Sequence, residues 1–296
     1  MFHTSTQRKH WTFSSKEELR QTRQEVNSAY CEHFRESFPA KKDVDFLTVE
    51  EGMKLVEYYQ SVLIEVSEKF QPPVPSAVTA TAVAYLKRFY LKTSVMDHPP
   101  KEMFLVCLYM ACKVEEHNLS VDRFVEILPA DRRAKTIDFI LANELLLMQR
   151  LDFHLTVHNP YRPLEGFIID FKTRCLRSDP EKWRPLVAEF LRKAMLTDVS
   201  LLYPPSQIAL AALFSVSREH ISAYISANLG EQHQVLLRQI EIIVSLVTVQ
   251  KFTVSKEETK SLEQKLKSCR NPENNPDNKL FKKKKAEREK SMDIDD

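Results

Sequence analysis

A chain of 296 residues, 43% hydrophobic and 28% charged, holds enough apolar material for two domains of ordinary size, each burying its own core. Only 3 glycines occur, which excludes phosphate-cradling glycine loops and argues against a strand-rich fold with many tight turns; packed amphipathic helices fit the composition. With 43 Lys and Arg against 41 Asp and Glu the formal net charge is +2, so no global field draws the chain to nucleic acid or to a membrane surface.

Residues 1–48 read as an N-terminal helical extension. The first thirteen residues are polar and basic yet carry Trp11 and Phe13, which are expected to dock on the body of the protein. Ser14-Ser15 followed by Glu17-Glu18 is an N-cap with an acidic first turn, opening a helix to about Phe34 that is either simply solvated or also touches a partner. Phe38 to Asp45 is read as linker.

Residues 49–155 give five helical segments. The first runs from about Glu50 to Phe70 and is ended by Pro72-Pro73. Pro75 opens the second, with Tyr85, Leu86, Phe89 and Tyr90 on an apolar face and Lys87-Arg88 expected on a wet one. Pro99-Pro100 opens the third, which is apolar at every position from Met103 to Cys112 and so must be wrapped by other helices. A short fourth spans Val121 to Leu128, and a fifth runs from about Arg132 to Leu151.

Shifting the chain by 105 positions repeats its punctuation. Pro75 falls on Pro180, Pro99-Pro100 on Pro204-Pro205, Tyr85-Leu86-Lys87-Arg88 on Phe190-Leu191-Arg192-Lys193, and Met103–Lys113 on Ile208–Arg218. An internal duplication is the simplest cause, so the fold class is all-α, with a second five-helix repeat over 156–250, joined through the extended His158-Asn159-Pro160. Residues 251–296 change character: Ser255 caps a last helix to about Cys269, two Asn-Pro steps break the chain, and Lys282, Lys283, Lys284 and Lys285 form a basic run. That run is either a solvated tail or a nuclear-import signal; no aromatic residue interleaves with it, so it offers no stacking platform for nucleic acid.

Enzymatic chemistry finds no foothold. No Gly-x-Gly-x-x-Gly, His-Arg-Asp or Asp-Phe-Gly motif is present, so phosphoryl transfer is not expected. Cys107, Cys112 and His117 lie in steps of five, about 140° apart on a helix, and cannot converge on a metal ion. No cofactor or metal is expected, and the 5 cysteines read as reduced thiols of an intracellular protein. There is no signal-peptide core, and no run approaches the about 18 apolar residues of a membrane span.

Two charged residues stand out. Lys113 ends the apolar third helix, and Glu144 lies among apolar neighbours in the fifth, where a lone carboxylate is costly unless paired or exposed. Glu144, Met148 and Leu151 share a face, with Phe153 and Leu155 following. On the residues alone, Lys113 and Glu144 either close the core as an internal pair or face a partner, and both can hold at once.

An apolar helix ending Ala111-Cys112-Lys113-Val114-Glu115-Glu116, preceded by Leu86-Lys87-Arg88-Phe89-Tyr90-Leu91, resembles the cyclin box, and tandem boxes are what the cyclin family shows. The resemblance covers roughly 49 to 250 and implies a subunit that binds and activates a cyclin-dependent kinase catalytic subunit. It implies that Lys113 and Glu144 grip the kinase's mobile helix, with Met110, Val114, Met148, Phe153 and Leu155 at apolar contact positions. The stretches Arg8–Ser15, His154–Pro163 and Tyr203–Leu210 are similar to the branch of the family serving the nuclear kinase that phosphorylates other cyclin-dependent kinases. That kinase, with a RING-finger assembly subunit, also phosphorylates the RNA polymerase II tail within the general transcription and repair factor complex. The first helix, Gly52-Met53-Lys54-Leu55-Val56, departs from the Met-Arg-Ala-Ile-Leu pattern by which cell-cycle cyclins dock substrates, and no mitotic destruction box precedes the first repeat. The rival class, a DNA-clamping general transcription factor with paired cyclin-like repeats, needs a strongly basic face that these near-neutral repeats lack. A purely structural adaptor is a third reading.

Overall fold

The structure, a computed structural model, describes residues 2–38, 44–174, 179–229, 233–249, 254–275 and 278–283. Lys284 and Lys285 of the basic run and Cys175 lie outside the described residues. After a 3-10 turn at Phe2–Thr4, the helices are α1 (Thr6–His10), α2 (Lys16–Ser37), α3 (Val49–Lys69), α4 (Ser76–Phe89), α5 (Pro100–Val114), α6 (Val121–Val125) and α7 (Ala130–Arg150). They continue as α8 (Tyr161–Arg174), a 3-10 turn at Pro180–Trp183, α9 (Arg184–Leu196), α10 (Val199–Leu202), α11 (Pro205–Val216), α12 (Arg218–Leu229), α13 (His233–Val249) and α14 (Lys256–Cys269). Among the described residues there is no strand.

The central helix of the first repeat is α5. Pro100 stands at its first turn, where a missing N–H costs nothing. Every residue from Met103 to Cys112 is at most 9% exposed, packed against α3, α4 and α7. Full burial of each large side chain here, such as Leu108 or Val106, is worth about 1.5–3 kcal/mol, which explains why no polar stripe interrupts the run. α11 is the second repeat's counterpart, buried from Ile208 to Phe214 among α8, α9, α12 and α13. The duplicated punctuation therefore marks duplicated helices, with α10 and the 3-10 turn at Pro180–Trp183 as additions the periodicity did not give.

α3 begins with a reciprocal cap: Thr48 Oγ1 accepts from the Glu51 N–H at 3.1 Å and the Glu51 carboxylate accepts from the Thr48 N–H at 2.9 Å. Gly52 follows because a Cβ there would lie 3.1 Å from the Val95 side chain. The terminal helices brace this repeat. α14 contributes Leu262, Leu266 and Cys269 to the first core, and α2 contributes Tyr30 and Phe34. Arg270 forks onto Glu102 with two bonds of 2.8 Å, and Tyr30 donates to the Cys269 carbonyl at 2.7 Å.

One expectation is overturned. Lys87 and Arg88 do not lie on a wet face; they are 3% and 2% exposed. Two neighbours cover that side of α4: the second repeat, whose Thr197 carbonyl accepts from Lys87 Nζ, and the N-terminal segment with the chain at His154, which cover Arg88. Arg88 lies 5.3 Å from the Trp11 ring and donates to the His154 carbonyl at 3.3 Å. Burial drives the lysine down to about 8 and the arginine to about 10.

Candidate functional site

The C-terminal end of α5 and the outer face of α7 build the site. Lys113 occupies the last turn of α5, where the unpaired helix carbonyls favour a cation. Its ammonium lies 5.5 Å from the centre of the Tyr109 ring one turn earlier and donates to both carboxylate oxygens of Glu144, at 2.9 and 3.0 Å. The Lys113 side chain is 47% exposed and that of Glu144 16%, so the pair closes the α5–α7 gap and still faces solvent. Pairs this exposed contribute about 0.2–1 kcal/mol to stability.

Beside the pair runs an apolar strip. Leu141, Glu144, Leu145 and Met148 fall within an arc of roughly 100° on α7; Leu141 is 51% exposed and Leu145 55%, with Met148 half-buried. The strip ends in a turn that presents Phe153, at 60% exposure the most open aromatic ring described. Asp152 and Phe153 both take left-handed backbone conformations, with φ of 51° and 56°. For residues with a Cβ this costs about 1–2 kcal/mol each. The turn is closed by the Phe153 N–H donating to the Met148 carbonyl at 2.8 Å and the His154 N–H to that of Leu151 at 2.9 Å. Tyr85 donates its hydroxyl to the Leu155 carbonyl, fixing the chain as it leaves.

The fold brings Lys113 and Glu144 into contact, with Met148 one turn further along α7 and Phe153 in the turn that ends it, and these four, Val114 and Leu155 are all at least partly exposed. Met110 is different. It is 3% exposed and packs within the core, so it underlies the surface instead of forming it. Leu141 and Leu145 were missed by sequence reasoning, although their four-residue spacing around Glu144 was the available signal. Lys282 is exposed and lies far along the chain from this site.

The second repeat carries a counterpart. Arg218 packs its guanidinium 5.1 Å from the Phe214 ring and pairs with Glu241 of α13, as Lys113 does with Tyr109 and Glu144. The copy is looser: α11 ends before Arg218 at an extended Ser217, and the paired side chains are 69% and 46% exposed.

Neither constellation has a nucleophile with an adjacent base. Among the described residues no group of three or more His, Cys, Asp and Glu could hold a metal ion. Cys107 and Cys112 are buried thiols, the first pushed well up by burial and the second to about 11, which keeps them protonated and unreactive. No helix among the described residues is long and apolar enough to cross a membrane. What this arrangement offers is a rigid recognition face with polar anchors beside apolar contacts.

Comparison with known proteins gives the family. The sequence profile for the cyclin N-terminal domain matches residues 30–156 and that for the cyclin C-terminal domain residues 159–271. The chain is 38% identical to cyclin-H of Xenopus laevis, over 92% of this chain and 88% of the relative, and 32% identical to the cyclin mcs2 of Schizosaccharomyces pombe, over 97% and 91%. In structure it is similar to a chain of the CAK complex of Chaetomium thermophilum bound to ATP-γ-S, with a TM-score of 0.85 at 28% identity over 98% of this chain and 94% of that one. It also matches a chain of the yeast TFIIK complex of Kin28, Ccl1 and Tfb3, with a TM-score of 0.68 at 27% identity over 83% and 99%. On profile, identity and fold together, this chain belongs to the cyclin family, alongside the cyclin H proteins.

Proposed function

We propose that the chain is a non-catalytic regulatory subunit that binds and activates a cyclin-dependent kinase catalytic subunit. The kinase is the one that activates other cyclin-dependent kinases and, with a RING-finger assembly subunit, phosphorylates the RNA polymerase II tail within the general transcription and repair factor. The protein acts in the nucleus, with Lys282 to Lys285 as its import signal, and makes no sequence-specific contact with nucleic acid. The observation that carries the reading is the half-exposed Lys113–Glu144 pair beside the open strip of Leu141, Leu145 and Phe153. An ammonium carries three N–H donors and a carboxylate about four lone-pair sites, so the contact of Lys113 with both Glu144 oxygens does not exhaust the pair's capacity to bond a partner's backbone. The relatives' names and the two kinase complexes similar in structure support the choice of partner.

The mechanism is a shift of population. A protein kinase is active only when its β3 lysine is paired with the glutamate of its mobile helix. A partner that binds that arrangement preferentially draws the ensemble toward it. Moving the balance from about 1% to 99% active takes about 5.5 kcal/mol of differential affinity. Central apolar anchors of about 2 kcal/mol or more each, with two charged anchors, are of the right size. Val114, Met148 and Leu155 complete the apolar face, and Met110 supports it from within.

Mixing the purified chain with the isolated catalytic subunit and assaying phosphorylation of a polymerase-tail peptide tests this. Activity should appear only in the mixture and fall with Phe153→Ala. Phosphotransfer by the chain alone, or no stimulation of the kinase, overturns the proposal.

A further inference from the structure

The turn that presents Phe153 cannot hold itself. Two successive residues with side chains sit in the left-handed region, and such strain persists only where surrounding structure over-determines it. The helix-end bonds close the turn without by themselves holding both residues in the left-handed region, and among the described residues the Asp152 carboxylate has no partner within 148–155. The further restraint comes from Lys92, which follows α4 and forms an ion pair with Asp152. An ion pair between side chains 36% and 46% exposed is weak when both ends are free to move.

Lys92 is not free to move, because its ammonium lies 5.1 Å from the centre of the Trp11 ring. Trp11 is 2% exposed and is the anchor of the N-terminal segment. The same segment holds the far side of the turn. The Trp11 indole N–H donates to His154 Nδ1 at 3.1 Å, and the His10 ring stacks on His154 with centroids 4.9 Å apart. Gln7 brackets the segment leaving the turn, donating to the His158 carbonyl at 3.1 Å and accepting from the His158 N–H at 2.7 Å. A segment more than 140 positions distant thus grips the turn directly at His154 and through Lys92 at Asp152.

We infer that the N-terminal segment is a positioning element for the docking surface: Trp11 fixes Lys92, Lys92 holds Asp152, and the held turn keeps Phe153 facing outward. Trp11 and Lys92 act through Phe153 and need not touch the partner. The inference deepens the proposed kinase-binding role and rests on it for its consequence, but the restraint itself exists in the free chain. Undocking the segment would let Asp152 and Phe153 relax out of the left-handed region, so the binding-competent turn would be populated for only part of the time and apparent affinity would fall by that fraction.

The test uses the full chain with Trp11→Ala, Lys92→Met, Lys92→Arg, Phe153→Ala and the double variant Trp11→Ala with Phe153→Ala. In the free protein, amide hydrogen exchange at Phe153 and His154 should quicken roughly tenfold or more in Trp11→Ala and Lys92→Met. Amides inside α5 and α11 should keep their protection, and Lys92→Arg, which preserves both the charge and the ring contact, should behave as the parent. Affinity for the catalytic subunit of the CDK-activating kinase should fall roughly tenfold in the same two variants, yet Trp11→Ala should add nothing once Phe153 is alanine. Unchanged exchange at the turn overturns the inference, as does a loosened turn with unchanged affinity, or full additivity in the double variant. If Phe153→Ala alone leaves affinity unchanged, the kinase-binding reading of Phe153 falls instead, and the exchange measurement by itself decides whether the segment positions the turn.

Discussion

Lys87 of the first repeat donates its ammonium to the main-chain carbonyl of Thr197 in the second, from a site 3% exposed. The two repeats are therefore joined by a buried cation. Arg192 adds a second tie, 3.0 Å from Glu68, while Arg23 joins the N-terminal extension to the second repeat, forking onto Asp198 with two bonds of 2.8 Å.

Replacing Lys87 by alanine should destabilise the protein by about 2 kcal/mol or more, because it removes the buried stem and leaves the Thr197 carbonyl without its donor. A pH signature goes with it. Burial holds Lys87 at about 8 against an ordinary 10.5, so between those values the unfolded chain binds more protons than the folded one. The contribution of Lys87 should thus rise as pH climbs from about 8 to 10.5 and be lost as pH falls back through 8. Urea unfolding at several pH values, compared with Lys87→Met, checks both statements: across that window the parent should gain stability relative to the methionine variant.

Lys113→Ala and Glu144→Ala should each lower kinase affinity by roughly 2 kcal/mol or more while costing no more than about 1 kcal/mol of stability, because the pair is partly open to water. Arg218→Ala is the matched control. It breaks an ion pair and a ring contact of the same kind in the second repeat and should leave that affinity unchanged. Calorimetric binding and thermal unfolding on the same preparations separate the two effects. A fall in melting temperature with unchanged affinity would make Lys113 and Glu144 purely structural.

Docking of the N-terminal segment should weaken in acid. His154 must offer an unprotonated Nδ1 to Trp11, since an indole N–H can only donate. Burial, with His10, Arg88 and Lys92 nearby, lowers the His154 pKa below 6.5 against the opposing pull of Asp152. A lowered histidine contributes stability that is fully present above about 6.5 and lost as pH falls through the folded value. In a Trp183→Phe background, Trp11 emission should shift to the red between pH 7 and 5 before helical circular dichroism changes, and His154→Gln should remove the pH dependence. Emission that tracks global unfolding would contradict the expectation.

Leu262→Ala should cost about 2–3 kcal/mol although α14 follows the helices of the second repeat in the chain, because its side chain is only 8% exposed within the first core. Chemical denaturation is the measurement. A change below about 0.5 kcal/mol would mean that α14 docks without contributing to that core.

The sequence by itself determined the helices and their duplication. Proline positions, caps such as Ser15 and Ser255, and the unbroken apolar run of α5 are local signals, because they depend on backbone geometry and on the period of one helix. Lys113 and Glu144 were also legible, since a charge at the end of an apolar run is conspicuous wherever the run is packed. Burial of Lys87 and Arg88 was not legible. On α4 alone they mark a polar face, and only the arrival of the second repeat over Lys87 and of Trp11 and His154 over Arg88 turns that face inward. Met110 is the converse case, a side chain at a favourable spacing that neighbouring helices cover completely. The strap of Trp11, Lys92 and Asp152 likewise joins three separated stretches, and no periodicity within any one of them encodes the contact. Only the tertiary structure decided these pairings, because which charges are desolvated depends on what packs over a helix and not on the helix itself.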